Sequence, residues 1–256
     1  GISLKKGHQI MKNKNGIILW EGVSAIDGET PIVAIATGIT RKTKNEKLSK
    51  KGSKIVQIWY LLQNTSPIDA VKTGEDRAVC GDCKHRPVND NSCYVVTFQA
   101  PHSVWKAYNN GSYAHWDGDA SIFAGRMVRF GAWGDPASVP SGLFDDIRKE
   151  AKKITAYTHQ WNNDQFAELM AWAMASADTA AERLIAKAKG FRSFRVRQPG
   201  EPLQEGERQC PAADESKLNA VMDCETCGGC DGLLKGSKRP DYTLEAHGRG
   251  AANFSK

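Results

Sequence analysis

The chain has 256 residues, a quarter of them charged and 40% hydrophobic, with a net charge of +6. That is enough for one large α/β domain or two small ones, and no apolar run approaches the roughly 20 residues of a membrane span. With no apolar signal stretch at its start, the chain is expected to be intracellular, where seven cysteines, an odd number, are expected to bind metal rather than form disulfides.

Residues 1–19, with Met11 among them, are assigned to an N-terminal extension, residues 20–200 to an α/β domain and residues 201–256 to a cysteine-rich segment with a C-terminal strand on the same domain. The β-branched runs 31–37 and 54–62 are predicted strands. Between them lie Arg41, Lys42, Lys44, Lys47, Lys50, Lys51 and Lys54 against Glu46, a stretch expected to be a mobile loop, either solvated or touching nucleic-acid phosphates. Ser66 and Pro67 open a capped helix over 66–71. Beyond the first cysteines, a helix is expected over 101–108, a strand over 127–132, an amphipathic helix over 141–153, and a strand over 154–159. A strand is also read over 169–175, with helix as its alternative. A helix over 178–189 with Gly190 as its cap precedes an alternating strand over 191–197, and a last strand covers 242–247.

Strand, helix and strand repeated in this way predict parallel pairing. Without a dinucleotide-binding glycine fingerprint, the expectation is a (β/α) TIM-like barrel, closed or incomplete, carrying cysteine-rich metal-binding loops. Barrel chemistry lies at the C-terminal ends of strands. Trp133, Asp135, Tyr157, His159, Gln160 and Ser176 are therefore expected to gather at one mouth, with Asp135 and His159 as the catalytic candidates. Each has a plainer reading, Asp135 as a turn residue and His159 as a hydrogen-bonded strand-end histidine.

The cysteines fall into two groups. Cys224, Cys227 and Cys230 are three thiols in seven residues, and Cys210, followed by Pro211, supplies a fourth. Three closely spaced cysteines with a remote Cys-Pro suit a [4Fe–4S] cluster, whereas four-thiolate zinc is usually built from two separated pairs. Cys80, Cys83 and Cys93 leave a cubane one ligand short, or complete a zinc site if His85 adds a nitrogen. Shared ligation across the groups is the remaining arrangement. Arg192, Arg195 and Arg197 are candidates to bind phosphate or offset the thiolates, with surface solvation as the plain reading. Trp105, Trp116, Trp133, Trp161 and Trp172 are expected in the core or pocket walls.

Several stretches together resemble a family of cysteine-rich bacteriophage-encoded proteins: 34–38, Cys80-Gly81-Asp82-Cys83, Cys93-Tyr94-Val95, 131–136, Tyr157-Thr158-His159-Gln160-Trp161 and Phe194-Arg195-Val196. The resemblance implies viral origin and work in the cytoplasm of a bacterial host, without implying a reaction. The layout of early and late cysteines on an α/β scaffold is also similar to that of radical S-adenosylmethionine enzymes, although the early gaps here are two and nine residues instead of three and two. The expected function is thus an iron–sulfur protein with a redox or cluster-dependent catalytic role and a redox partner. The alternatives are a zinc-stabilised module binding nucleic acid or a host protein, and a radical S-adenosylmethionine-like enzyme.

Overall fold

A computed structural model describes residues 13–254. Ten strands, β1 (Gly16–Val23), β2 (Pro31–Thr37), β3 (Val56–Leu62), β4 (Ala114–His115), β5 (Met127–Trp133), β6 (Lys153–Thr158), β7 (Met174–Ala177), β8 (Ser193–Arg197), β9 (Glu207–Gln209) and β10 (Asp241–Glu245), form one sheet. Its order is β4-β1-β2-β3-β5-β6-β7-β8-β10-β9. β1 and β3 flank β2 in antiparallel pairing, and every other neighbouring pair is parallel. The helices are α1 (Pro67–Thr73), α2 (Arg77–Cys80), α3 (Ala100–Asn109), α4 (Asp145–Glu150), α5 (Ala180–Ala188) and α6 (Cys224–Cys227). The fold is therefore α/β and mostly parallel, as expected. Among the described residues the sheet is open, with β4 and β9 as its edges.

Local chemistry explains most of these elements. Ser66 caps α1 through the Asp69 N–H, Pro67 begins it, and left-handed Gly74 ends it. Thr179 caps α5 through the Glu182 N–H. The expected helix over 141–153 shrinks to α4, because Ala151 turns extended and bridges to Ala124 before β6 starts. The expected strand over 169–175 divides into a 3-10 stretch, Asp164–Ala171, and β7. β1 begins at Gly16, so the boundary placed after Leu19 cuts through a paired strand.

The apolar core lies where β2, β3 and β5 are nearly continuous hydrophobic runs, with Ile32, Ile35, Ile58, Leu61 and Phe130 essentially inaccessible. Trp133, Trp161 and Trp172 are buried, and Trp105 and Trp116 pack partly buried against the core. The other half of the sheet is held by charge. Arg195 on β8 is fully buried and grips Glu207 through Nε and Nη2, each at 2.7 Å, while Nη1 bonds Glu201 Oε1 at 2.7 Å. Arg183 on α5 reaches Asp241 on β10, and Arg197 reaches Glu245. These pairs tie α5, β8, β9 and β10 together, and the carboxylates take up Arg195 and Arg197, which the sequence offered as phosphate or thiolate partners.

Removing one partner of a buried ion pair strands the other charge. Arg195→Ala should lower unfolding free energy by about 3–5 kcal/mol in urea titration. A loss under about 1 kcal/mol would mean that Glu207 finds another counter-charge.

Candidate metal centres

The parallel strands bring the first cysteine group to their C-terminal ends. β3 leads through α1 and α2 to Cys80, the last residue of α2. Asp135 follows β5, His159 and Gln160 follow β6, and Asp178 follows β7, so the first group shares the C-terminal strand ends with these side chains. The Asp135 N–H donates to Val79 O at 2.6 Å, and Gln160 Nε2 reaches Cys80 O at 3.4 Å. Gly81 adopts φ +57, and a Cβ there would overlap the Gln160 amide, which accounts for glycine between Cys80 and Cys83.

Arg86 organises this loop from within. Buried with Asp76, it bonds both carboxylate oxygens, at 3.0 and 2.7 Å, and also Gly74 O at 2.7 Å. Farther along the loop the Cys93 N–H donates to His85 O at 2.9 Å. Peptide N–H groups of His85 and Val95 point to the sulfurs of Cys83 and Cys93 respectively.

The second group is assembled by long-range contacts. Asp223 caps α6 through the Thr226 N–H at 2.6 Å and accepts the Lys50 N–H at 2.7 Å. Cys224 and Glu225 donate backbone N–H groups to Lys47 O and Leu48 O, and Leu48, Ile55 and Met127 pack beside Cys224. The basic stretch expected to be a mobile loop is thus the clamp on the cysteine triplet, while Lys42, Lys44 and Lys51 remain exposed. From the sheet, Lys153 Nζ donates to Glu225 O and Thr226 O at 2.6 and 2.7 Å. Arg192 bonds Gly229 O, Gly232 O and Asp231, which makes it the holder of the Cys230 turn. Cys230 O accepts the Ala156 N–H at 3.1 Å, and Cys210 donates its N–H to Thr243 O at 2.8 Å. Ala212 and Ala213 N–H groups aim at the Cys210 sulfur.

Burial pushes up the thiol pKa of Cys80, Cys83, Cys93, Cys210 and Cys230, and that of Cys224 to about 12. Neighbouring sulfurs add to this: Cys83 and Cys93 act on Cys80, while Cys210, Cys224 and Cys227 act on Cys230. All seven cysteines are free. One zinc ion would require sulfurs about 3.8 Å apart, from tetrahedral bonds of about 2.3 Å. Among the described residues, however, the only three His, Cys, Asp or Glu ligand atoms within 4.8 Å of one another belong to His85, His159 and Asp178. Among the described residues the cysteines of neither group are thus gathered onto a single-ion radius. His85 is committed elsewhere, with Nδ1 2.6 Å from Ser92 Oγ and Nε2 2.8 Å from Asp178 Oδ1.

Arg129 on β5 connects the centres. Its Nη2 donates to the Tyr94 hydroxyl at 2.6 Å, beside Cys93, and its charge lowers the pKa of Cys224 against burial. Tyr157, placed at the strand-end mouth by the sequence, instead lies beside the second group and hydrogen-bonds the Cys230 sulfur. Trp133 is a core residue, and Ser176 contributes its backbone carbonyl to the Trp161 indole at 2.7 Å. Asp135, His159 and Gln160 do converge. Asp135 Oδ2 accepts the His159 N–H at 2.7 Å. Asp178 and Ser92 were missed as site residues; the paired cap formers Asp178-Thr179 were the available signal, since Thr179 capping α5 leaves the aspartate carboxylate free to turn inward.

No protein-family model, curated protein or solved structure matches this chain. No helix among the described residues is long and apolar enough to cross a membrane.

Burial raises the Asp135 pKa to about 6 against hydrogen bonds from Ala137 and His159, and lowers that of His159 to about 4 against the attraction of Asp178. In metal-free protein, native Asp135 keeps a proton that the unfolded chain loses between about pH 4 and 6, so its contribution to stability falls as pH rises through that window. His159 works in reverse, adding stability as pH rises from about 4 to 6.5. Asp135→Asn removes the falling contribution. Its stability relative to wild type should therefore improve by about 3 kcal/mol between pH 4 and 7. Urea melts at both pH values read this directly, and a pH-independent difference would contradict it.

Proposed function

We propose that this chain is a bacteriophage-encoded iron–sulfur protein working in the cytoplasm of a bacterial host, on an open, barrel-like α/β scaffold. Cys210, Cys224, Cys227 and Cys230 would hold a [4Fe–4S] cluster, and Cys80, Cys83 and Cys93 a second one with an iron lacking a protein thiolate. The observation carrying this reading is the segregation of seven free thiols into sets of four and three whose sulfurs influence one another. Bound clusters supply one-electron redox chemistry, and an iron without a fourth thiolate also offers a ligand position.

The chain's own residues shape both environments. Lys153 and Arg192 donate hydrogen bonds to carbonyls of the triplet loop, while the Ala212 and Ala213 N–H groups stabilise negative charge on Cys210. Hydrogen bonds to cluster sulfurs are one of the means by which a protein sets cluster potential. At the other centre, buried Asp135 holds a proton to about pH 6 and fixes the His159 backbone. Complete ligation of the four-cysteine set suits electron transfer, so catalysis belongs at the three-cysteine set, and a redox partner would exchange electrons through the former.

Anaerobic reconstitution should load about eight iron and eight sulfide per chain, reflecting two cubanes. Cys227→Ser should remove up to half of both, and joint replacement of Cys80, Cys83 and Cys93 by alanine the other half. Stoichiometric zinc without sulfide would defeat the reading. Placement of the three-cysteine set at C-terminal strand ends, where open α/β sheets bind ligands, favours one elaboration, the radical S-adenosylmethionine-like enzyme. Added S-adenosylmethionine should then shift the reduced-cluster spectrum of wild type, with no shift in the triple-alanine variant; an unchanged wild-type spectrum would remove this elaboration.

A further inference from the structure

Beside the three-cysteine loop, side chains from three distant parts of the chain converge without any cysteine among them. His85 comes from the loop after α2, His159 from the end of β6 and Asp178 from the end of β7. One ligand atom from each lies within 4.8 Å of the other two. His85 Nε2 stands 2.8 Å from Asp178 Oδ1, and His159 Nε2 stands 3.9 Å from Asp178 Oδ2. A tetrahedral ion bonded at about 2.0–2.1 Å sets its donors about 3.4 Å apart, and the two observed separations, each to a different carboxylate oxygen, lie on either side of that value.

Two features distinguish this cluster from an ordinary hydrogen-bonded group. First, His159 Nε2 is buried and has no hydrogen-bond partner, a condition that costs about 1–3 kcal/mol. The rest of the residue is held in place, with its backbone N–H on Asp135. Second, the back of the cluster is already built. His85 Nδ1 is 2.6 Å from Ser92 Oγ, and Ser92 is itself buried. A hydroxyl both donates and accepts, so Ser92 serves either tautomer of His85, including the one that frees the Nε2 lone pair. Phe254 stacks on the His85 ring at 5.6 Å and forms an apolar wall, and the ammonium of neighbouring Lys84 lies 5.0 Å from that Phe254 ring centre.

We propose that His85, His159 and Asp178 bind one divalent transition-metal ion through two imidazole nitrogens and a carboxylate, at a site separate from the cysteine ligands, with Ser92 orienting His85. Two histidines and one carboxylate leave coordination positions open, and this donor set takes Fe2+ or Zn2+. The site does not depend on the cysteines binding clusters.

Cobalt(II) is the probe, added anaerobically to the full chain after iron and sulfide loading. High-spin Co2+ bound by nitrogen and oxygen gives d–d bands and an electron paramagnetic resonance signal without thiolate-to-metal charge-transfer absorption. Wild type should bind one equivalent with that signature, and metal analysis of protein from iron- or zinc-supplemented cells identifies the resident ion. His159→Gln and Asp178→Asn should abolish stoichiometric binding, and Ser92→Ala should weaken it by about 10–100-fold. Iron and sulfide content and circular dichroism should stay at wild-type values in His159→Gln and Ser92→Ala. No such signal in wild type, a signal carrying thiolate charge transfer, or affinity unchanged in His159→Gln and Ser92→Ala would each overturn the proposal. Loss of cluster loading with the cobalt signal retained would count against the iron–sulfur reading alone.

Discussion

A buried thiolate needs positive charge close to it, and this constraint organises the molecule. Burial opposes ionisation of Cys80, Cys83, Cys93, Cys210, Cys224 and Cys230, so metal-free chain carries these six as thiols in positions suited to thiolates. Metal binding reverses that balance, since coordination supplies the missing charge and releases the protons. The surrounding polar groups fit such a change. Peptide N–H groups face the sulfurs of Cys83, Cys93 and Cys210, and Lys153 and Arg192 converge on the turns that carry Cys224 and Cys230.

The sheet gives this local chemistry its positions. Parallel β3, β5, β6 and β7 deliver Cys80, Asp135, His159 and Asp178 to one end. The triplet segment runs along β6, with Met127 and Lys153 meeting its Cys224–Thr226 turn and Ala156 and Tyr157 meeting Cys230. Arg129 sits between the groups, bonded to Tyr94 on one side and electrostatically coupled to Cys224 on the other.

Much of the fold was legible in residue patterns. β2 follows from a β-branched run, α1 from Ser66 and Pro67, and α5 from helix formers before Gly190. The parallel α/β class followed from alternating strand and helix signals, but sheet closure depends on long-range edge pairing that such signals do not encode. β1 was overlooked although its Gly-Ile-Ile-Leu-Trp run is a strand signal, because it lay across the boundary of a segment set aside as an extension. Candidate ligands were legible as spacing, whereas their supports were not. Lys47 and Leu48 meet Cys224 and Glu225 across more than half the chain, and His85 meets Asp178 across 93 residues. No local pattern encodes such meetings, and the charge run in residues 41–54 concealed a backbone role behind conspicuous side chains.

The central claim concerns what the seven sulfurs hold. Anomalous diffraction at the iron absorption edge, from crystals of anaerobically loaded protein, tests it most directly. The account predicts two compact, multi-iron peaks, one enclosed by Cys210, Cys224, Cys227 and Cys230 and the other by Cys80, Cys83 and Cys93. Single-atom peaks at the zinc edge in those positions, with no iron signal, would contradict it.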